Sequence, residues 1–140
     1  MQITIHRGTK EVGGTMIELN TENTRILLDA GYPLFYRGEL IADEWAKKPY
    51  QELLELGVIP EVKGLYRWDD PGFDAVLISH AHSDHFGMLR YIHPAIPVCL
   101  SETTAKLIEK NLAFPIPSFT RRDRRFIKMY ETFAIGDFTI

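Results

Sequence analysis

Cysteine and long apolar runs are what this 140-residue sequence has least of. Its single cysteine, Cys99, excludes an internal disulfide and fits a reducing compartment. Cys99 lies in the apolar segment 96–100, so we expect a small buried side chain rather than a nucleophile or a metal ligand. No segment approaches the length of a membrane span, and the N terminus has no charged region followed by an apolar core. We therefore expect a cytoplasmic protein that does not contact the membrane.

The sequence also has no excess of positive charge. The formal net charge is -3 and the pI is about 5.9, which argues against a generally basic surface for nucleic acid. Basic residues cluster at one place, and the members of this cluster are Arg121, Arg122, Arg124 and Arg125. They are candidate contacts for a phosphate backbone, although a solvated charged turn explains the same composition equally well. The 45% hydrophobic fraction and the length predict one packed domain, and no internal repeat is evident.

Against this ordinary background, one segment concentrates side chains that bind metals. Residues 75–79 form a short apolar run entered through Pro71-Gly72, which predicts a buried strand. Three histidines and an aspartate follow within six residues: His80, His82, Asp84 and His85. Imidazole and carboxylate groups are good ligands for zinc and related divalent ions. His80 and His82 are two residues apart and point the same way on an extended backbone, whereas Asp84 and His85 reach a second point nearby.

The alternative is a polar surface turn that binds metal only adventitiously. A lone histidine is usually a structural residue, and a motif match by itself is a hypothesis. Four ligand-type side chains directly after a buried strand favour a metal site instead. Two adjacent ions are the arrangement that two-metal hydrolysis requires.

The segment 80–85 resembles the HxHxDH signature of the metallo-β-lactamase superfamily. An earlier aspartate at a strand end in that family is matched by Asp29, within the segment 25–31. The amino-acid sequences of three segments resemble those of ribonuclease J and its RNA- and DNA-processing relatives. These segments are the turn Glu11-Val12-Gly13-Gly14, the strand end 27–31 and the segment 78–87. The resemblance covers most of the chain.

The resemblance implies roles for these residues. His80 and His82 would bind a first metal, and Asp84 and His85 a second, with Asp84 also orienting the attacking water. Asp29 would lie beneath the metals and orient a ligand by a hydrogen bond, although without the downstream motif a turn aspartate before Gly31 explains it as well. Two zinc ions are expected in the complete site, and manganese or iron is an alternative with nitrogen and oxygen ligands.

The family fold implied by the resemblance is an α+β four-layer (αββα) sandwich, and residues 1–140 correspond to its N-terminal half. The family's later motifs, a further histidine for the first metal, a bridging aspartate and a final histidine, have no counterpart here. Two protein ligands per metal fall short of the three expected for catalytic zinc. We therefore expect the N-terminal part of a single domain, truncated before the later metal motifs.

Elsewhere the hydrophobic pattern predicts mostly short elements. Strands are expected at 3–5, 15–19, 25–29, 97–100, 126–130, 132–135 and 137–140, and helices at 49–56, 86–92 and 101–111. Ser101 is a predicted helix cap, and Ala105, Ile108 and Leu112 an apolar stripe facing the core. The two prolines in residues 114–117 are expected to interrupt regular secondary structure. His6 has no assigned role, and His93 is expected to end a helix rather than to bind metal.

Residues 32–72 interleave aromatic rings with cations. The rings in this stretch are Tyr32, Phe35, Tyr36, Trp45, Tyr50, Tyr66 and Trp68. Such a pattern can stack bases and hold phosphates, but it more often packs rings beneath a long loop. We favour packing.

The sequence thus predicts a metal-dependent hydrolase, with RNA or DNA as the favoured substrate. A small-molecule hydrolase acting on a thioester, lactone or lactam is the main alternative. A third reading is an inactive fragment, or a metal-binding or assembly half that needs another chain.

Overall fold

We analysed a computed structural model of the chain, which describes residues 1–10, 12–41, 45, 47–111, 115–116 and 119–140. The strands are β1 (Gln2–Arg7), β2 (Met16–Asn20), β3 (Arg25–Leu28), β4 (Phe35–Tyr36), β5 (Glu39–Leu40), β6 (Ala75–Leu77), β7 (Val98–Leu100), β8 (Arg124–Phe126), β9 (Ala134–Ile135) and β10 (Phe138–Thr139). The helices are α1 (Tyr50–Glu55), α2 (Ser83–Phe86) and α3 (Glu102–Glu109), and a 3₁₀ turn over Gly87–Arg90 follows α2.

A mixed sheet organises the molecule, in the strand order β1-β2-β3-β6-β7-β8. The first three strands are antiparallel, whereas β3, β6, β7 and β8 run parallel. Leu28 lies opposite Leu77, so the carboxyl ends of β3 and β6 meet at one edge of the sheet. Asp29 follows the end of β3, and residues 80–85, which we call the histidine segment, follow the end of β6. An α/β sheet of this kind places functional side chains at the carboxyl edge of its parallel strands.

The two faces of the sheet bury different side chains. Leu27 and Val76 face the larger core, which includes Met88 of the 3₁₀ turn and Ile108 of α3. On the opposite face, Leu77, Cys99 and their neighbours pack against Ile135 and the β9–β10 hairpin. Cys99 is fully buried, as the sequence predicted, and burial raises the pKa of its thiol.

Several predicted elements are confirmed. Pro49 caps α1, and Gly57 follows its end with a positive φ of 70°. Ser101 caps α3, since its hydroxyl accepts a hydrogen bond from the Thr104 amide at 3.0 Å. Ala105 and Ile108 are buried, and the strands predicted at 15–19 and 25–29 are present as β2 and β3, which pair antiparallel. Predictions that involve Glu11, Leu112, Phe114 and Pro117 lie outside the described residues.

Several predicted boundaries differ from the structure. The helix expected at 86–92 begins at Ser83 and turns into the 3₁₀ segment, because the polar residues of the histidine segment themselves form its first turn. The strand expected at 126–130 is wrong: β8 is Arg124–Phe126, fixed by parallel pairing with β7, and Tyr130 is 98% exposed. The last two strands are only two residues each.

The aromatic stretch packs its rings against each other. Trp68 stacks on Tyr50 at 4.1 Å between ring centroids and on Tyr66 at 4.8 Å. Tyr66 is buried, and its hydroxyl donates to the Pro60 carbonyl at 2.6 Å. These contacts support the packing interpretation over base stacking. In the described parts of the chain, no helix combines the length and the apolar character needed to cross a bilayer.

Candidate metal centre

The histidine segment is held at the sheet edge by backbone hydrogen bonds from the residues that follow β3 and from Thr15, which precedes β2. The Ala30 amide donates to the His85 carbonyl at 2.7 Å, and the Tyr32 amide donates to the Ser83 carbonyl at 3.0 Å. The Thr15 amide donates to the Asp84 carbonyl at 3.1 Å. The backbone of residues 83–85 is therefore fixed by amides on two sides, one before β2 and two after β3.

Gly31 makes this close approach possible. A Cβ atom at Gly31 would lie 1.8 Å from the Asp84 carbonyl oxygen and 2.6 Å from the Thr15 amide nitrogen. Neither neighbour is the flexible end of a side chain, so no larger residue fits without moving the backbone of Asp84. Glycine is required at position 31 because there is no room for a Cβ atom. The sequence alone did not reveal this requirement.

Asp29 lies beneath the histidines and accepts three hydrogen bonds. Its Oδ1 accepts from the Ser79 amide at 2.8 Å, and its Oδ2 accepts from the Ser79 hydroxyl at 2.9 Å. Nδ1 of His85 lies 2.8 Å from the same Oδ2. Asp29 is only 7% exposed and has a φ of 57°, in the left-handed region that aspartate tolerates better than most residues.

The four candidate ligands form two close pairs. Nε2 of His80 lies 3.2 Å from Nδ1 of His82. Oδ2 of Asp84 lies 3.5 Å from Nε2 of His85. The rings of His80 and His85 are 4.0 Å apart between centroids, so the two pairs are neighbours.

The separations within these pairs suit metal binding. Two ligands about 2.0–2.1 Å from one tetrahedral zinc ion lie about 3.3–3.4 Å from each other. Both pairs have separations near this value, and their donors are the nitrogen and oxygen atoms that divalent metals accept. Each pair supplies only two donors, however. Within the described residues, no group of three or more His, Cys, Asp or Glu side chains forms a complete site.

The other histidines are engaged elsewhere. Nε2 of His6 lies 2.8 Å from Oε2 of Glu18, on the antiparallel part of the sheet. Nδ1 of His93 accepts a hydrogen bond from the Ala95 amide at 3.1 Å, after the 3₁₀ turn. Neither belongs to the pairs around Asp84.

The four candidate arginines do not form one surface. The Arg122 guanidinium is turned inward and donates to the carbonyls of Leu89, Ile92 and His93. Burial lowers the pKa of Arg122 to about 10. Arg124 pairs with Glu109, whereas Arg121 and Arg125 are exposed. The sequence had no signal to separate these roles, because all four residues lie in one short polar run.

A cavity of about 540 Å³ opens beside the centre on the β9–β10 side of the sheet. Its polar wall includes Asp29 and Ser79, and its apolar wall includes Leu28, Leu77 and Met129. Apolar side chains of β2, β3 and β6 line this cavity next to the candidate ligands. Sequence reasoning did not identify it.

Comparison with known proteins finds similar sequences. The family model of the metallo-beta-lactamase superfamily matches residues 11–134. The transcription termination factor FttA of Methanothermobacter thermautotrophicus is 32% identical over 66% of this chain and 12% of its own length. An RNase J-like protein of Methanocaldococcus jannaschii is 31% identical over 61% of this chain and 14% of its own. Ribonuclease J of Sinorhizobium meliloti is 35% identical over 44% of this chain and 13% of its own.

A solved structure has the same fold. A protein of unknown function from Enterococcus faecalis, known from a crystal structure, matches with a TM-score of 0.75 and 28% sequence identity, over 98% of this chain and 36% of that chain. The chain therefore spans between about an eighth and about a third of these proteins. The expected resemblance to the RNA-metabolising relatives is confirmed, and this chain belongs to the metallo-β-lactamase superfamily.

Proposed function

We propose that this chain carries part of the active centre of a two-metal hydrolase that cleaves phosphodiester bonds in nucleic acid. The observation that carries the proposal is the convergence of two ligand pairs, His80 with His82 and Asp84 with His85, at the carboxyl edge of the parallel strands. Relatives named ribonuclease J and RNase J-like support nucleic acid as the substrate.

In this proposal His80 and His82 hold a first ion through Nε2 and Nδ1, and Asp84 and His85 hold a second. Zinc suits these nitrogen and oxygen donors, and manganese or iron is compatible with them. A bound pair of divalent ions would lower the pKa of water toward about 7 and stabilise charge on the attacked phosphoryl group.

The chain's own residues position this chemistry. Asp29 accepts a hydrogen bond from Nδ1 of His85, which leaves Nε2 of that ring as the donor atom toward a metal. One oxygen of Asp84 faces Nε2 of His85, and we assign the other oxygen to orient the attacking water. Asp84 is thus the proposed catalytic residue.

The remaining assignments complete the proposal. Among the described residues each proposed ion has two protein ligands, and we place the remaining ligands beyond Ile140 or on another chain. Residues 1–140 would then be the N-terminal part of a single domain whose complete form is a four-layer αββα sandwich, acting in the cytoplasm. Arg121 and Arg125 are the exposed arginines we propose as contacts for the phosphate backbone.

The test compares two substrates on the purified full-length protein that contains these residues, with added divalent metal. Labelled single-stranded RNA and a small thioester are incubated with the wild type, with the His80→Ala/His82→Ala double variant and with His93→Ala as the matched control. We expect RNA cleavage that falls by more than about 100-fold in the double variant, because even the residues behind metal ligands cost 10–100-fold when changed. His93→Ala should leave the rate unchanged.

Other outcomes have distinct meanings. RNA cleavage that is equal in the wild type and the double variant contradicts the metal centre. Cleavage of the thioester alone favours the small-molecule hydrolase. Metal binding without hydrolysis of either substrate favours a metal-binding or assembly module.

A further inference from the structure

Ser79 occupies an unusual position between the candidate ligands and Asp29. Its hydroxyl oxygen lies 2.9 Å from Oδ2 of Asp29 and 3.0 Å from Nδ1 of His80. A longer contact of 3.4 Å reaches Nδ1 of His85. Ser79 therefore connects the buried carboxylate with a histidine that the carboxylate itself does not contact.

The protons of this network can be placed from the donor and acceptor properties of its groups. An ionised carboxylate only accepts hydrogen bonds, so the Ser79 hydroxyl must donate its single proton to Asp29. The hydroxyl oxygen then has lone pairs left, and it accepts a hydrogen bond from Nδ1–H of His80. Nδ1 of His85 likewise must carry a proton in order to donate to Asp29.

We propose that Ser79 is a positioning residue that extends the influence of Asp29 to His80. Through this hydroxyl, one carboxylate fixes the tautomers of two histidines, one from each ligand pair. Both rings then carry their proton on Nδ1 and present the lone pair of Nε2. The value of this arrangement for metal binding rests on the proposed function, whereas the tautomer assignment does not.

The geometry at His82 agrees with this assignment. Nδ1 of His82 lies 3.2 Å from Nε2 of His80. If Nε2 of His80 has a free lone pair, Nδ1–H of His82 donates to it in the metal-free protein. A cation that binds both nitrogens would take the place of that proton, and the His82 ring would then carry its proton on Nε2 after exchange with solvent. The same two nitrogens thus serve the metal-free and the metal-bound pair.

A purely structural role explains Ser79 less well. Its side chain is exposed, so removal of the hydroxyl leaves no cavity. Its amide donates to Oδ1 of Asp29 at 2.8 Å, and that contact does not depend on the side chain. Ser79→Ala should therefore fold like the wild type and lose only the link between Asp29 and His80.

The experiment measures histidine tautomers in the metal-free protein by two-bond ¹H–¹⁵N correlation spectra at a pH where the rings are neutral. The variants are Ser79→Ala, Ser79→Thr, which keeps a hydroxyl, and Ser101→Ala, which removes a nearby hydroxyl that bonds Thr104 at the start of α3 rather than Asp29 or His80. We expect one tautomer, with the proton on Nδ1, for His80 and His85 in the wild type, in Ser79→Thr and in Ser101→Ala. In Ser79→Ala, His80 should become a mixture of tautomers while His85 stays unchanged.

Two results overturn the proposal: a proton on Nε2 of His80 in the wild type, or an unchanged His80 spectrum in Ser79→Ala. The wild-type spectrum is decisive even if the alanine variant fails to fold. A parallel zinc titration separates the two levels of the argument. Zinc affinity about 10-fold lower in Ser79→Ala and restored in Ser79→Thr supports the role toward metal. Absence of zinc binding in the wild type contradicts the proposed function and leaves the tautomer result standing.

Discussion

At the scale of single residues, Asp29 is the point through which the centre is assembled. It directly follows β3 in a left-handed conformation, and its carboxylate contacts both Ser79 and His85. A buried carboxylate that accepts three hydrogen bonds holds its partners in one geometry. The sequence singled out Asp29 through the resemblance of the strand end 25–31 to the family motif, together with the downstream histidines. It did not reveal Ser79 as a partner, because a serine before a histidine has no distinctive spacing.

A second buried carboxylate, Glu18, stabilises the antiparallel part of the sheet. Its oxygens accept from Nε and a terminal nitrogen of Arg25 at 2.7 and 3.0 Å, and the other contact is Nε2 of His6. Burial alone would raise the pKa of Glu18, but the hydrogen bonds from Arg25 and His6 hold it below its usual value. A carboxyl whose pKa is lower in the folded state stabilises the fold above its unfolded pKa. This contribution is lost as the pH falls through the folded pKa.

We therefore expect Glu18→Gln to lower the free energy of unfolding by about 2 kcal/mol at pH 7, since Arg25 loses its charged partner. The difference from the wild type should start to shrink as the pH falls below about 4.3, the usual pKa of glutamate, because the unfolded carboxyl then takes up a proton. It should disappear once the pH has also passed the lowered pKa of the folded carboxyl. Urea unfolding at several pH values measures this, with the exposed Glu22→Gln as control. A difference that is the same at pH 3 and pH 7 would show that the charge of Glu18 is not responsible.

At the scale of elements, short strands and tight approaches position the centre. The sequence predicted β1, β2, β3, α1 and α3 because their apolar spacing and caps are local signals. It misplaced β8, since Arg124 and Arg125 look like a solvated turn until β7 supplies a parallel partner. It also placed the start of α2 too late, because polar ligand-type residues hide a helical turn. Pairing between distant segments decides such elements, and a single sequence does not display it.

Gly31 tests the idea that the approach of two backbones sets the position of Asp84. Gly31→Ala places a methyl group against the Asp84 carbonyl, so we expect a lower melting temperature and zinc binding weakened by at least about 10-fold. Gly72→Ala is the matched control, because its Cβ would meet no atom closer than 3.5 Å. Calorimetry provides both quantities. Wild-type zinc binding in Gly31→Ala would mean that the Asp84 backbone can shift without consequence.

At the scale of the whole molecule, the charge does not favour general binding of nucleic acid. The net charge is -3, and only Arg121 and Arg125 of the basic cluster are exposed without being drawn into the fold or toward Glu109. Arg122 instead joins the cluster to the carbonyls at the end of the 3₁₀ turn. The family and the metal-binding segment could be predicted from the sequence. Which of the arginines are turned inward, paired or exposed depends on tertiary packing.

This division predicts opposite effects for two neighbouring substitutions. Arg125→Ala should leave stability unchanged and weaken RNA binding, with the salt dependence of the affinity reduced by about one phosphate contact. Arg122→Ala should lower the melting temperature, because three carbonyls lose their donor. Fluorescence anisotropy with single-stranded RNA at several salt concentrations, together with thermal unfolding, measures both. Equal loss of RNA affinity in two variants of unchanged stability would contradict the assignment.

The central claim is that His80, His82, Asp84 and His85 are metal ligands, and zinc titration calorimetry tests it most directly. The proteins compared are the wild type, His82→Ala, Asp84→Asn and the control His93→Ala. The account predicts zinc binding by the wild type and by His93→Ala, and at least about 10-fold weaker binding in each of the other two variants. Equal zinc affinity in all four proteins, or no binding by the wild type, would contradict it.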